Sequence, residues 1–151
     1  MVDDLWERGY RNLTVLDISQ RALDRARTRL GDISASIHWV CADVTQSGFP
    51  ANAVDLWHDR AVFHFLLSPE ERRAYVQAAT QTLHTGGTVI ISTFGPEGPL
   101  KCSGLEIVRY DTELLHQEFG PRFRLIESLN EWHQTPFGTM QQFLYCHYTL
   151  E

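Results

Sequence analysis

The feature that most constrains this chain is an alternation of short apolar runs, rich in β-branched residues, with segments of helical spacing. Residues 13–19 (LTVLDIS) form such a run, closed by an acid and then Ser19, a helix-capping residue. In the helix expected over 20–30, Ala22, Leu23, Ala26 and Leu30 recur at helical spacing and Gly31 supplies the stop. A second strand is expected over 37–42, ending at Asp43, and a loop with Gly48 and Pro50 as breakers fills 44–53. The third strand covers 54–58. Ser68-Pro69-Glu70-Glu71 then starts a helix running to about Leu83, which the pair Gly86-Gly87 closes. Residues 88–94 make a fourth strand. Strands alternating with helices in this way predict βαβ units and a parallel, doubly wound α/β sheet.

The last third changes character. A helix over 111–119 is followed by two strand-like runs, 122–133 and 139–149, joined by QTPFG. So short a link permits only an antiparallel hairpin. Trp132, Phe137 and Tyr145 on that hairpin read as sheet packing. At 151 residues, with no internal repeat or linker, the chain is expected to be one domain spanning 1–151.

Charge and cysteine content narrow the function. Nineteen acidic residues against thirteen Lys and Arg give a net charge of −6, with no block of like charge, which argues against nucleic-acid binding. The densest basic stretch, 21–29, is diluted by Asp24 and reads as a solvated helix face. No apolar run approaches the ~20 residues of a membrane span, and the first ten residues lack an apolar signal core. Cys41, Cys102 and Cys146 are odd in number and far apart, so a reducing, cytoplasmic compartment is expected, with no membrane partner. The histidines are scattered and suggest no metal site.

Specific segments carry a resemblance. TVLDIS (14–19), ADV (42–44), VDLWHDRAVFHFL (54–66) and LHTGGTVIISTF (83–94) resemble, in order and spacing, the second to fifth strands of class I S-adenosylmethionine-dependent methyltransferases. The W-H-D-R-A-V-F-H-F-L segment is similar to a bacterial subgroup related to the thiopurine methyltransferases. The resemblance covers essentially the whole chain and implies a Rossmann-like sheet, mostly parallel, with a C-terminal antiparallel hairpin. One departure stands out. Family members open with a strand and a GxGxG-type loop that holds the methionine part of the cofactor, and counting back about 20 residues from Asp17 lands at or before Met1. The first strand and its glycine loop are therefore expected to be missing, and 2–9 to be the end of the helix that follows that loop.

The resemblance also implies site residues. Asp17 would accept the ribose hydroxyls of the cofactor, and Asp43 the adenine amino group, with Ile18 and Val44 packing on the ring. Each Asp has a plainer reading, Asp17 as a helix cap and Asp43 as a loop-starting residue. His58, Asp59 and Arg60 fall where relatives place groups near the sulfonium and the acceptor, and they are the expected catalytic residues. An Asp–Arg pair that merely fixes the loop explains them equally. Cys102 and the Pro/Gly-rich segment 95–104 lie where a lid over the acceptor belongs.

Three functions remain open at this point. The first is a methyltransferase-family domain acting on a small molecule, expected to be impaired or inactive as an isolated chain. The second is a non-enzymatic, degenerate protein of the same fold kept by self-association, and the third an unrelated nucleotide-binding module. In the family strand order 3-2-1-4-5-7-6, the missing strand lies between the strands at 13–17 and 54–58. Two inner edges would then be open, so a homodimer is expected, either by edge pairing or by exchange of residues 1 to ~45.

Overall fold

A computed structural model describes residues 1–136 and 138–151; Phe137, one of the aromatic residues assigned to hairpin packing, lies outside the described residues. The chain divides into two compact units, Met1–Ser47 and Gly48–Glu151.

The first unit opens with helix α1, Val2–Glu7, stopped at Gly9, whose φ of 94° is open to glycine without a Cβ penalty. Strand β1, Thr14–Asp17, follows, then helix α2, Gln20–Leu30. Ser19 caps α2 as expected, its hydroxyl accepting the Ala22 N–H. Strand β2, His38–Cys41, pairs parallel with β1, with Asp17 opposite Cys41. Among the described residues β1 has no strand on its other edge. Leu23, Leu30 and Ile37 are the buried apolar residues of this unit.

The second unit holds most of the core. Strand β3, Val54–Arg60, runs two residues beyond the expected end. A turn of 3₁₀ helix, Phe63–Phe65, leads to α3, Pro69–Thr82. Here Ser68 and Glu71 form a reciprocal capping box and Pro69 opens the first turn, as the sequence predicts. Strand β4, Leu83–Phe94, corrects the expected boundary. Gly86-Gly87 does not end the helix but lies within this strand. Gly86 takes a φ of 83°, and a Cβ on Gly87 would stand 2.7 Å from the His84 carbonyl, so the pair bends the start of β4 rather than stopping α3.

Segment 95–104 also departs from a plain loop, since Lys101–Cys102 (β5) and Leu105–Glu106 (β6) form a small hairpin. Helix α4, Thr112–Phe119, precedes β7, Phe123–Gln134, and β8, Met140–Leu150. Those last two are the expected antiparallel hairpin. The sheet order is β3-β4-β8-β7, parallel between β3 and β4 and antiparallel beyond. This is the 4-5-7-6 end of the strand order implied by the resemblance. As with β1, the outer edge of β3 carries no strand among the described residues.

Strand alternation divides this sheet into two faces. One face presents Trp57, Asp59, Val89, Ile91, Leu144 and Tyr148, and α3 and α4 lie on it. Phe119 of α4 stacks on Tyr148 and meets Phe123 edge-on, and Phe63 packs against Tyr75. The Arg72–Glu118 ion pair, 2.8 Å, ties α3 to α4. In β7, Leu125 pairs with Tyr148 and Glu127 with His147, so Ile126 is an inserted bulge residue. Beyond it, Glu127, Leu129 and Glu131 fall on the opposite face.

Candidate functional site

In open α/β sheets ligands bind beyond the carboxyl ends of the parallel strands, and every expected site residue lies at such an end. In the first unit, Asp17 closes β1 and Asp43 follows β2, so the parallel pairing of Asp17 with Cys41 brings both acids to one edge of this two-stranded sheet. One oxygen of each is fixed by its own loop. Asp17 Oδ1 accepts the Ser19 N–H at 2.8 Å, and Asp43 Oδ1 accepts the Thr45 N–H at 2.8 Å and its hydroxyl at 2.7 Å. These are the Asx turns that short acids favour after strands. The second oxygen of each makes no hydrogen bond to the described residues. Ile18, at 74% exposure, stands on the surface beside Asp17, and Val44 is half-buried.

In the second unit, the three residues expected to be catalytic do not converge. His58 and Arg60 pair with Ile90 and Ser92 and are exposed on the face opposite the helices. Asp59 points the other way and is 6% exposed. Its carboxylate accepts three hydrogen bonds: from the Val62 N–H (2.9 Å), the Phe63 N–H (3.0 Å) and the Tyr75 hydroxyl (2.6 Å). Tyr75 in turn accepts the Trp57 indole N–H at 2.9 Å. Asp59 therefore fixes the loop after β3, through backbone amides and a tyrosine rather than through Arg60. The turn it braces includes Ala61, held at φ 65° with its N–H on the Ser92 carbonyl at 2.8 Å. Burial pushes the Asp59 carboxyl above its ordinary value, opposed by those three donors, and it drives the Tyr75 hydroxyl well up. His58 is pushed down, chiefly by desolvation.

Two supporting groups lie outside the expected site residues: His64, whose spacing from His58 does not suit a metal site, and Gln142. His64 is fully buried at 0% exposure, with Nδ1 accepting the Phe94 N–H at 3.3 Å and Nε2 unpartnered. Gln142 Oε1 accepts the Glu97 N–H at 2.9 Å and its carbonyl the Gly95 N–H at 3.0 Å, docking the start of the 95–104 segment on β8. A Cβ at Gly95 would stand 2.5 Å from that Oε1. The signal for His64 was its place inside the run FHFL. Nothing local marks Gln142.

Among the described residues no group of three His, Cys, Asp or Glu could hold a metal ion, and no helix is long and apolar enough to cross a membrane. A shallow groove lined by Arg73, Gln77, Gln81 and Arg122 contains none of the expected site residues.

The strand order β3-β4-β8-β7, parallel then antiparallel, and the parallel pair β1-β2 make up a mixed α/β fold with acids at the carboxyl ends of β1 and β2. Residues 1–91 match the methyltransferase domain family model. The chain belongs to the class I S-adenosylmethionine-dependent methyltransferase domain family. Over 83 residues it is 32% identical to a malonyl-[acyl-carrier protein] O-methyltransferase of Anoxybacillus flavithermus, covering 55% of this chain and 30% of that protein. The chain thus spans under a third of this curated relative. Among solved structures, a SAM-dependent methyltransferase of Methanosarcina mazei superposes with a TM-score of 0.76 at 17% identity, covering 100% of this chain and 88% of that one. The N-methyltransferase NodS of Bradyrhizobium japonicum, in complex with S-adenosyl-L-homocysteine, gives 0.69 at 17% identity, covering 92% and 66%.

Proposed function

We propose that this chain binds the adenosine part of S-adenosylmethionine and belongs to a methyltransferase acting on a small molecule. The carrying observation is the pair Asp17 and Asp43, both at the carboxyl edge of the β1-β2 sheet, each with one oxygen anchored and the other unbonded. Anchored carboxylates of this kind accept hydrogen bonds from a ribose diol and an exocyclic amine without first losing rotamer freedom. Exposed Ile18 and half-buried Val44 supply apolar contact for the ring. The bound cofactor supplies the electrophilic methyl group. Two of the three relatives named above are an O-methyltransferase and an N-methyltransferase, so the acceptor proposed is a small nucleophile, without choice of element. The thiopurine-methyltransferase-like subgroup remains the reading suggested by the WHDRAVFHFL segment, and a reducing compartment the one suggested by the odd number and wide spacing of the cysteines.

The roles at β3 follow the geometry. Asp59 is a positioning residue that holds the 61–63 turn. His58 and Arg60, exposed at the carboxyl end of the strand, are proposed to stand near the acceptor, where correct placement contributes more to rate than any proton transfer.

Residues 1–13 hold one glycine, Gly9, and it terminates α1, so this segment offers no glycine turn whose N–H groups could receive the methionine carboxylate. Calorimetric titration of the chain with S-adenosylhomocysteine is therefore expected to give a Kd of at least about 100 µM, some 2–3 kcal/mol weaker than a micromolar binder. Asp17→Ala should weaken it by at least roughly tenfold, the share of a lost charge-assisted pair. Low-micromolar binding indifferent to Asp17→Ala overturns the assignment.

The same lack leaves the sulfonium unfixed, and misplacement by about 1 Å costs two orders of magnitude in rate. With labelled cofactor and a panel of small thiols, hydroxyls and amines, the chain alone is expected to transfer negligible methyl. Robust turnover lost in Arg60→Ala would refute that expectation.

A further inference from the structure

Strand β7 ends the order β3-β4-β8-β7, and among the described residues no strand pairs with its outer edge. Residues 126–134 are all exposed, with Ile126, Leu129 and Trp132 the large apolar side chains among them. The Thr135 N–H donates to the Thr139 carbonyl at 2.8 Å, and pairing with β8 runs without a shift from Gln134 back to Glu127. Main-chain groups alternate along an antiparallel strand. Those of Glu127, Leu129, Glu131 and His133 therefore turn to β8, and those of Ser128, Asn130, Trp132 and Gln134 turn outward. An edge of this kind is a template for a further strand. Among the described residues neither Glu127 nor Glu131 forms an ion pair.

We propose that a second copy of this chain pairs along this edge, β7 antiparallel to β7, about a two-fold axis that passes through Asn130 normal to the sheet. Each residue then lies opposite the one equally far beyond Asn130 in the other copy. The two Asn130 main chains exchange a pair of N–H···O bonds. Glu127 of one copy faces His133 of the other, at both ends of the contact, and Ser128 faces Trp132. Leu129 faces Glu131 and meets the second Leu129 diagonally across the axis. Every contact is made twice, as an isologous interface requires.

Charge selects this register over its neighbours. An axis through Leu129 would set Glu127 directly against Glu131 in two places, and an axis through Glu131 would set that carboxylate against its own copy. Like charges directly opposite are destabilising. An axis further along in either direction meets the bulge at Ile126 or runs off β7 at Gln134, leaving fewer pairs. Residues 127–133 of each copy make a contact about 24 Å long at ~3.4 Å per residue, which belongs with the small, weak class of interface. A Kd on the order of tens of µM is expected.

Sedimentation velocity on the chain from 5 to 500 µM tests this, with the folding of each variant checked by circular dichroism. The wild type should pass from 17.4 kDa to twice that mass across the range. Asn130→Pro removes an outward N–H and leaves the bonds between β7 and β8 in place, so it should stay monomeric throughout. His133→Glu and Glu127→Lys should each weaken association at least about threefold. An equimolar mixture of those two variants should recover it, because the mixed dimer sets the new ammonium opposite the new carboxylate and keeps one Glu127–His133 contact. A wild type monomeric at 500 µM overturns the proposal. So does a dimer that persists in Asn130→Pro, which would place the contact elsewhere on the chain, and so does indifference to both charge changes or a mixture that fails to recover.

Discussion

Asp59→Ala should lower the unfolding free energy of the chain by about 4 kcal/mol, read from the midpoint and slope of a urea titration. Three donors converge on this carboxylate: two backbone N–H groups of a turn held at positive φ, and the Tyr75 hydroxyl at 2.6 Å. Each buried donor left without an acceptor costs about 1–3 kcal/mol, and water cannot enter where Phe63 and Tyr75 are fully buried. On a total of 5–15 kcal/mol such a loss removes much of the stability. Tyr75→Phe should cost less, about 1–2 kcal/mol, since it strands only the Trp57 indole N–H, while Asp59 Oδ2 keeps the Phe63 N–H. The double variant should fall short of the sum, because both single changes break the same bond. A cost below 1 kcal/mol for Asp59→Ala would show that the network does not hold the turn.

The second large effect is a dependence on pH. His64 is enclosed by the Phe65 and Phe94 rings, and its Nδ1 already accepts the Phe94 N–H. A proton there would point at another donor in an apolar pocket, so burial pushes the imidazole down to about 4 from its ordinary 6.5. Between those values the unfolded chain takes up a proton that the folded chain refuses. Stability from this group is thus whole above pH 6.5 and lost as the pH falls through 4, about 3 kcal/mol in all. Asp59 works with the opposite sign, since its raised carboxyl contributes stability at low pH that fades as the pH rises. The two separate by difference: the stability gap between wild type and His64→Gln should shrink by about 3 kcal/mol from pH 7.5 to 4. Parallel curves would mean that His64 is not sealed from water.

The sequence disclosed elements wherever local chemistry is decisive. Ser68, Pro69 and Glu71 satisfy a helix start among themselves, and Ser19 and Gly31 bracket α2 for the same reason. The boundary at Gly86-Gly87 was misread because paired glycines break helices and bend strands alike, and only the neighbouring His84 carbonyl decides which. Likewise the end of β3 depends on Ala61 and Ser92 meeting across strands, a contact with no trace in local spacing. The WHDR segment drew attention as one cluster. Its strand periodicity was there to be read: Trp57 and Asp59 share one face, His58 and Arg60 the other. What no local pattern supplies is Tyr75, sixteen residues on, whose hydroxyl makes the buried acid tenable.

The single extra residue at Ile126 works on β7 as a phase shift works on a wave. Every side chain from 127 to 134 is carried half a period, so residues written in one order along the chain are read out on the other side of the sheet. Deleting one codon there would be equivalent to exchanging eight side chains between faces at a stroke, without altering any of them. The face that presents Glu127 and Glu131 is thus encoded less in those residues than in a count, and a change invisible to composition or charge would erase it.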